Sequence, residues 1–200
     1  MKKIGLVSCV LAAALTGCAS ITPTREERAS YAIYDIRATE GLSPSRIADA
    51  IKAGLQKQTN QVQITQGIPP SPLPEKPGRF KLVNPFGPNM SALATASGTS
   101  LQMPACDDAL VTANAGSSMA HYGENTLFFL CVLPYQGGYH LDVYTKFTMA
   151  SGAFNPQVLG ATLARAVLGN SSQFIPRTIA SVIDSVKATG ATVDLVESYP

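Results

Sequence analysis

Residues 126–133 (TLFFLCVL), 134–138 (PYQGG) and 139–149 (YHLDVYTKFTM) predict a β-hairpin, and this hairpin decides the fold. The first arm is a continuous apolar run, the middle has turn residues, and the second arm alternates apolar and polar residues. An arm that is apolar on both faces belongs in the middle of a sheet. Alternation in the second arm predicts one face turned to the core and one turned to water or to a partner.

The remaining elements fit around this hairpin as further strands and helices. Ser43-Pro44 and Asn155-Pro156 each combine an N-capping residue with proline at the first helical position, which indicates two helix starts. The pattern predicts helices over 43–58, 155–169 and 175–188, and strands over 31–38, 61–66, 79–83, 109–113 and 192–197. We therefore expect an α+β fold, with helices packed on one face of a mainly antiparallel sheet.

Two segments are unusual in composition. Residues 68–78 contain five prolines, which excludes regular helix and predicts an extended loop, either merely solvated or a Pro-rich recognition motif. Residues 82–105 carry no formal charge but include Phe86, Met90 and Leu93. That segment either packs onto the domain or offers an apolar surface to a partner or lipid.

The first residues of the chain form a short targeting signal. Lys2 and Lys3 precede an apolar stretch that ends in Leu15-Thr-Gly-Cys18. This leader resembles the signal of bacterial lipoproteins, which implies cleavage before Cys18, diacylglycerol on its sulfur and usually a further acyl chain such as palmitate on its amino group. An ordinary secretory signal is the alternative; the stretch is too short for a membrane span, which needs about 20 residues.

The leader also predicts where the protein is located and where its domain begins. No aspartate follows Cys18, so the resemblance implies the periplasmic face of the outer membrane if the source is Gram-negative. We expect a signal peptide over 1–17, the lipidated cysteine and a tether over 18–30, and one periplasmic domain over 31–200. A first turn of helix is the alternative for part of the tether.

Charge and cysteine usage narrow the function classes. Cleavage of the leader would remove Lys2 and Lys3 and leave 13 basic side chains, equal to the 13 acidic ones. Because a nucleic-acid partner requires a basic surface, we do not expect one. Cys106 and Cys131 remain after cleavage and acylation, and in an oxidising periplasm we expect them to form a disulfide. Closing a loop of about 25 residues stabilises a fold by roughly 3 kcal/mol. A redox or metal-binding pair is the alternative, although it lacks a Cys-x-x-Cys spacing.

Chemistry-bearing motifs are scarce. No nucleophile elbow and no phosphate-binding glycine loop is present, so we expect neither an enzyme nor a cofactor. The weak candidates for a metal site are His121, Glu124, His140 and Asp142, which could meet only if the segment before Leu127 folded back beside the hairpin end. We expect no metal there.

The second arm of the hairpin is the predicted partner-binding surface. Tyrosines offer a large contact area at small entropic cost, and several lie on or beside this arm. The candidate residues are Tyr135, Tyr139, His140, Asp142, Tyr144 and Lys146. The alternative role of these tyrosines is to support a second layer of the same domain.

Three functions remain open. The first is a membrane-anchored, non-enzymatic binding or assembly module for another envelope protein. The second is a carrier of a small apolar ligand, held in a cleft between the sheet and residues 82–105. The third is a hydrolase or metalloenzyme that uses His121 and His140. An exposed apolar patch without a deep cavity favours the first, a closed apolar pocket the second, and convergence of the two histidines the third.

Overall fold

The computed structural model describes residues 24–37, 42–85, 102–119, 124–151 and 171–199. The described elements are β1 Thr24–Arg37, α1 Pro44–Gln56, β2 Gln61–Gln66, β3 Lys81–Val83, β4 Met103–Ala105, β5 Val111–Met119, β6 Glu124–Tyr135, β7 Gly138–Ser151, α2 Ser171–Lys187 and β8 Thr192–Tyr199. The predicted leader, Cys18, His121 and the helix predicted over 155–169 lie outside the described residues. No helix in the described ranges is long and apolar enough to cross a membrane.

Six strands form one antiparallel sheet in the order β2-β5-β6-β7-β1-β8. The hairpin β6–β7 occupies its middle, while β2 and β8 are its edges. A separate two-stranded ribbon joins β3 to β4. Both helices share a core cluster with the sheet, so the predicted α+β class is confirmed.

The apolar run of β6 is explained by burial on two faces. Phe128, Leu130 and Val132 belong to the core cluster under the helices. Cys131 and Leu133 point to the opposite face, yet they too are almost completely buried. Burial on both faces explains the apolar residues 130–133, whereas Leu127, on the same face as Cys131, remains 59% exposed.

The two helices form one layer on the sheet. α1 begins after Ser43, whose side chain accepts a hydrogen bond from the Arg46 amide N–H. The helices approach closely at Gly54, where an added Cβ would lie 2.6 Å from Cα of Val182. Ser181 donates a 3.0 Å hydrogen bond to the Gly54 carbonyl at the same contact. α2 is thereby held against α1 along one flank.

β1 differs from its prediction at the amino-terminal end. It begins at Thr24, so residues 24–30, which we assigned to the tether, are a strand paired with β7 from Thr24 opposite Ser151. The charged composition of this stretch indicated a tether. Pairing with β7 is a long-range contact that composition does not reveal. Within this pairing, the Lys146 ammonium of β7 lies 2.9 Å from the Glu27 carboxylate of β1.

The predicted disulfide is confirmed. Cys106 bonds to Cys131, with the Cα atoms 6.4 Å apart. The bridge ties the chain between β4 and β5 to the centre of β6, on the face of the sheet away from the helices. Together with residues 67–80, this connection forms a partial second layer there.

Candidate functional site

An apolar cleft of about 780 Å³ lies between α2 and the end of the sheet formed by β7, β1 and β8. This volume is within the range of about 300–1,000 Å³ that is usual for small-molecule sites. The apolar side chains of its wall are Ala32, Phe147, Ile175, Ile179, Ile183 and Leu195. The residues that join β7 to α2, 152–170, lie outside the described ranges.

The cleft follows from the way α2 is placed. Ile175, Ile179 and Ile183 recur every four residues and so lie along one face of the helix. Because α2 contacts α1 through its other flank, this face overhangs β1 and the edge strand β8. Leu195 of β8 remains 58% exposed beneath it.

Polar groups in the cleft wall are few. Ser30, Ser198 and Asp184 contribute them, together with the tyrosines Tyr31 and Tyr34. Burial raises the pKa of Tyr34 above its usual value, so its phenol stays protonated. No basic side chain is among the described residues that line the cleft. The wall therefore suits an uncharged apolar group rather than an anion.

A second, shallower depression lies between α1 and the carboxyl-terminal end of α2. Its volume is about 450 Å³, and charged side chains, including Arg46, Asp49 and Lys57, form part of its wall. Ala53 of α1 also lines it and is exposed. Such a charged and open depression does not suit an apolar ligand, so it provides a matched control position.

The predicted partner-binding residues divide between two faces. Tyr139 packs against the core cluster on the helix side. Tyr135, His140, Asp142, Tyr144 and Lys146 lie on the opposite face, as their cross-strand register requires. Asp142 and Tyr144 are buried there at 1% and 9% exposure.

The end of the Pro-rich loop covers this opposite face. The Phe80 amide N–H donates a 2.8 Å hydrogen bond to Oδ2 of Asp142. The Phe80 ring lies 5.6 Å from the rings of both Tyr31 and Tyr144. Burial raises the pKa of Asp142, although the Phe80 N–H and nearby positive charge oppose the shift. These contacts make the region a structural second layer.

A second carboxylate on the same face is held differently. Tyr135 donates a 2.7 Å hydrogen bond to Oδ1 of Asp35, and Arg37 binds Oδ2 at 3.0 Å. Burial alone would raise the pKa of Asp35, but these two hydrogen bonds outweigh it and hold the pKa below its usual range. The His140 ring meets Tyr135 edge-on, with centroids 5.7 Å apart.

Two of the weak metal candidates, Glu124 and His140, lie at opposite ends of the β6–β7 pairing. Glu124 begins β6, whereas His140 pairs with Leu133 near the other end of that strand. Nine residues of strand separate these levels, which is about 30 Å. In the described ranges, no three histidine, cysteine or acidic side chains form a group that could hold a metal ion.

Comparison with known proteins adds little. No protein family and no curated protein matches the chain. One solved structure with some likeness is described as the crystal structure of Ara h 8.0201, at 12% identity, a TM-score of 0.27, and coverage of 84% of this chain and 99% of that chain. Similarity at that level supports no conclusion on fold or function, so the site depends on its own geometry.

The sequence did not reveal the cleft. Ile179 and Ile183 lie in the helix predicted over 175–188, and Leu195 lies in the strand predicted over 192–197. Their meeting depends on β8 pairing with β1, which places Leu195 opposite Tyr34. The available signal was the apolar Leu195-Val196 pair in β8, which proves to be an edge strand, where polar residues are usual.

Proposed function

We propose that this chain is a non-enzymatic, lipid-anchored envelope protein that binds an apolar ligand in the cleft between α2 and β1–β8. The observation that carries the proposal is the cleft itself, with its apolar wall and its lack of basic side chains among the described residues. Burial of apolar surface would supply the binding energy, at about 25 cal/mol per Å² removed from water. Cys18 would supply the anchor, at the periplasmic face of the outer membrane.

The test is a titration with N-phenyl-1-naphthylamine, an uncharged probe that fluoresces in apolar surroundings. The protein carries Cys18→Ser and lacks the leader, so that no acyl chain competes. Ala180→Phe places a large side chain in the cleft from the exposed side of α2. We expect saturable binding that Ala180→Phe weakens by about tenfold, or roughly 1.4 kcal/mol.

The matched control is Ala53→Phe, which adds the same side chain to the shallow charged depression. This variant should bind the probe like the parent protein. Equal binding by the parent and the Ala180→Phe variant would contradict the cleft as the site, as would an absence of saturable binding in the parent.

A second candidate function is docking of an envelope protein along β8. Val196 and Tyr199 of this edge strand are 56% and 59% exposed, and an edge strand can pair with a strand of another chain. Val196→Lys would oppose such pairing without touching the cleft. A crosslinked partner in envelopes that is lost with Val196→Lys, but retained with Ala180→Phe, would favour this function.

A further inference from the structure

The cleft and the start of β1 lie at the same end of the sheet. β1 begins at Thr24, opposite Ser151 at the end of β7. Phe147, in the cleft wall, lies opposite Arg28, only four residues further along β1. The other end of the cleft is marked by Leu195, which lies opposite Tyr34. The cleft therefore runs along β1 and has one end near the point where the chain enters the domain.

The chain between Cys18 and Thr24 is short. It spans six residues, which reach about 20 Å when fully extended and about 13 Å on average as a flexible coil. A domain tethered by acylated Cys18 would thus keep the Thr24 end of its sheet beside the bilayer. The nearer end of the cleft, with Phe147 and Ile175, would face the lipid on the same side.

The charge of the cleft wall limits which class of apolar ligand fits the cleft. Asp184 is the charged side chain of the described lining, and it would repel a carboxylate placed at its own end of the cleft. An acyl chain that belongs to a phospholipid brings no charge into the cleft, because its head group stays at the membrane. Passage straight from the bilayer also avoids exposing the chain to water.

We propose that the cleft takes up one acyl chain of a bilayer phospholipid through the end that, among the described residues, is formed by Ser30, Phe147 and Ile175. This inference rests on the proposed function and specifies its ligand and its route. The short tether has a direct role, because it keeps that end of the cleft at the membrane surface.

The experiment uses the full acylated chain in phosphatidylcholine vesicles that contain a phospholipid with a photoreactive diazirine on one acyl chain. After irradiation, mass spectrometry locates the crosslinked residues. We expect labels on cleft residues, reduced about fivefold by Ala180→Phe and unchanged by Ala53→Phe. Inserting 20 Gly/Ser residues between Ser20 and Ile21 should reduce the labels to a similar degree, because the longer tether no longer orients the domain.

Equal labelling of the cleft with the short and the extended tether would overturn the role of the tether. Absence of cleft labelling in the parent chain would overturn uptake of phospholipid altogether. The naphthylamine titration separates these failures from failure of the proposed function. Saturable probe binding that depends on Ala180 would show that the cleft still takes soluble apolar ligands, whereas failure of both experiments would remove the cleft as a ligand site.

Discussion

The amide N–H of Phe80 donates a 2.8 Å hydrogen bond to Oδ2 of Asp142, and this bond joins the end of the Pro-rich loop to the middle strand β7. Asp142 is 1% exposed, and its other oxygen, Oδ1, has no hydrogen-bond partner among the described residues. A buried carboxylate with one satisfied oxygen is costly to keep ionised. The contact therefore couples the attachment of the loop to the protonation of one side chain.

Replacing Asp142 with alanine should destabilise the protein by about 1–3 kcal/mol, because the Phe80 N–H loses its acceptor. Denaturant unfolding at neutral pH measures the change. The control is Asp107→Ala, which removes an exposed ion pair with Lys81 and should cost less than about 1 kcal/mol. Equal effects of the two variants would contradict a special role for the buried contact.

The pH dependence of stability should carry the signature of the same residue. Because burial raises the pKa of Asp142, the folded state binds its proton more readily than the unfolded state does. Asp142 therefore adds stability as the pH falls through its folded pKa, and this contribution is absent above that pKa. Unfolding free energies measured between pH 3 and 8 should show this gain in stability at low pH for the parent protein. The gain should be absent in the Asp142→Ala variant.

Asp35 should have the opposite effect of Asp142 on the pH dependence of stability, and Tyr135→Phe tests this effect. The Tyr135 hydroxyl helps to hold the pKa of Asp35 below its usual value, so ionised Asp35 stabilises the fold above the unfolded pKa and loses that contribution as the pH falls. Removing this hydroxyl should raise the pKa of Asp35 and cost about 1.5–3 kcal/mol at neutral pH. Carboxyl NMR titration of Asp35 checks the first effect, and Asp49→Asn on the exposed face of α1 is the control for general charge effects.

Gly54→Ala should destabilise the protein, although alanine favours helix by about 1 kcal/mol over glycine. The new Cβ would meet Cα of Val182 at 2.6 Å and the Ser181 carbonyl oxygen at 2.8 Å, so the helices must separate. We expect a loss of about 1–3 kcal/mol, typical of overpacking. Thermal unfolding measures it, and a gain in stability would contradict the close approach of α1 and α2.

The disulfide should be a main support of the face away from the helices. Replacing both Cys106 and Cys131 with alanine, or reducing the bridge, should lower the free energy of unfolding by about 3 kcal/mol. Reductant should have no further effect on the double variant. A parent protein that unfolds identically with and without reductant would contradict this contribution.

The sequence predicts local structure here better than it predicts the site. The hairpin is evident because alternation and turn chemistry are local, and β6 and β7 extend only slightly beyond the predicted arms. The start of β1 is missed because the charged stretch near Glu27 forms a strand only by pairing with β7. The cleft depends on the meeting of Ile179 in α2 with Leu195 in β8. Sequence periodicity predicts each of these elements, but it does not specify how they pack together.

The predicted partner surface illustrates the same limit. Alternation correctly places His140 and Asp142 on the face away from Val143, and it equally places Tyr139 on the other face. It does not show that Phe80, from a loop far away in the chain, covers Asp142 and Tyr144. Which faces remain open is decided by such long-range coverage.

The position of β1 between β7 and β8 also bears on the order of folding. The Tyr31 hydroxyl bonds to Glu197, a partner 166 residues later in the chain. β1 is synthesised long before both of its neighbours, β7 and β8. Such non-local pairing slows folding, because a long loop must close first. β1 must stay unpaired until β7 and β8 are available, so this strand is where we expect a folding chain to need protection from aggregation most.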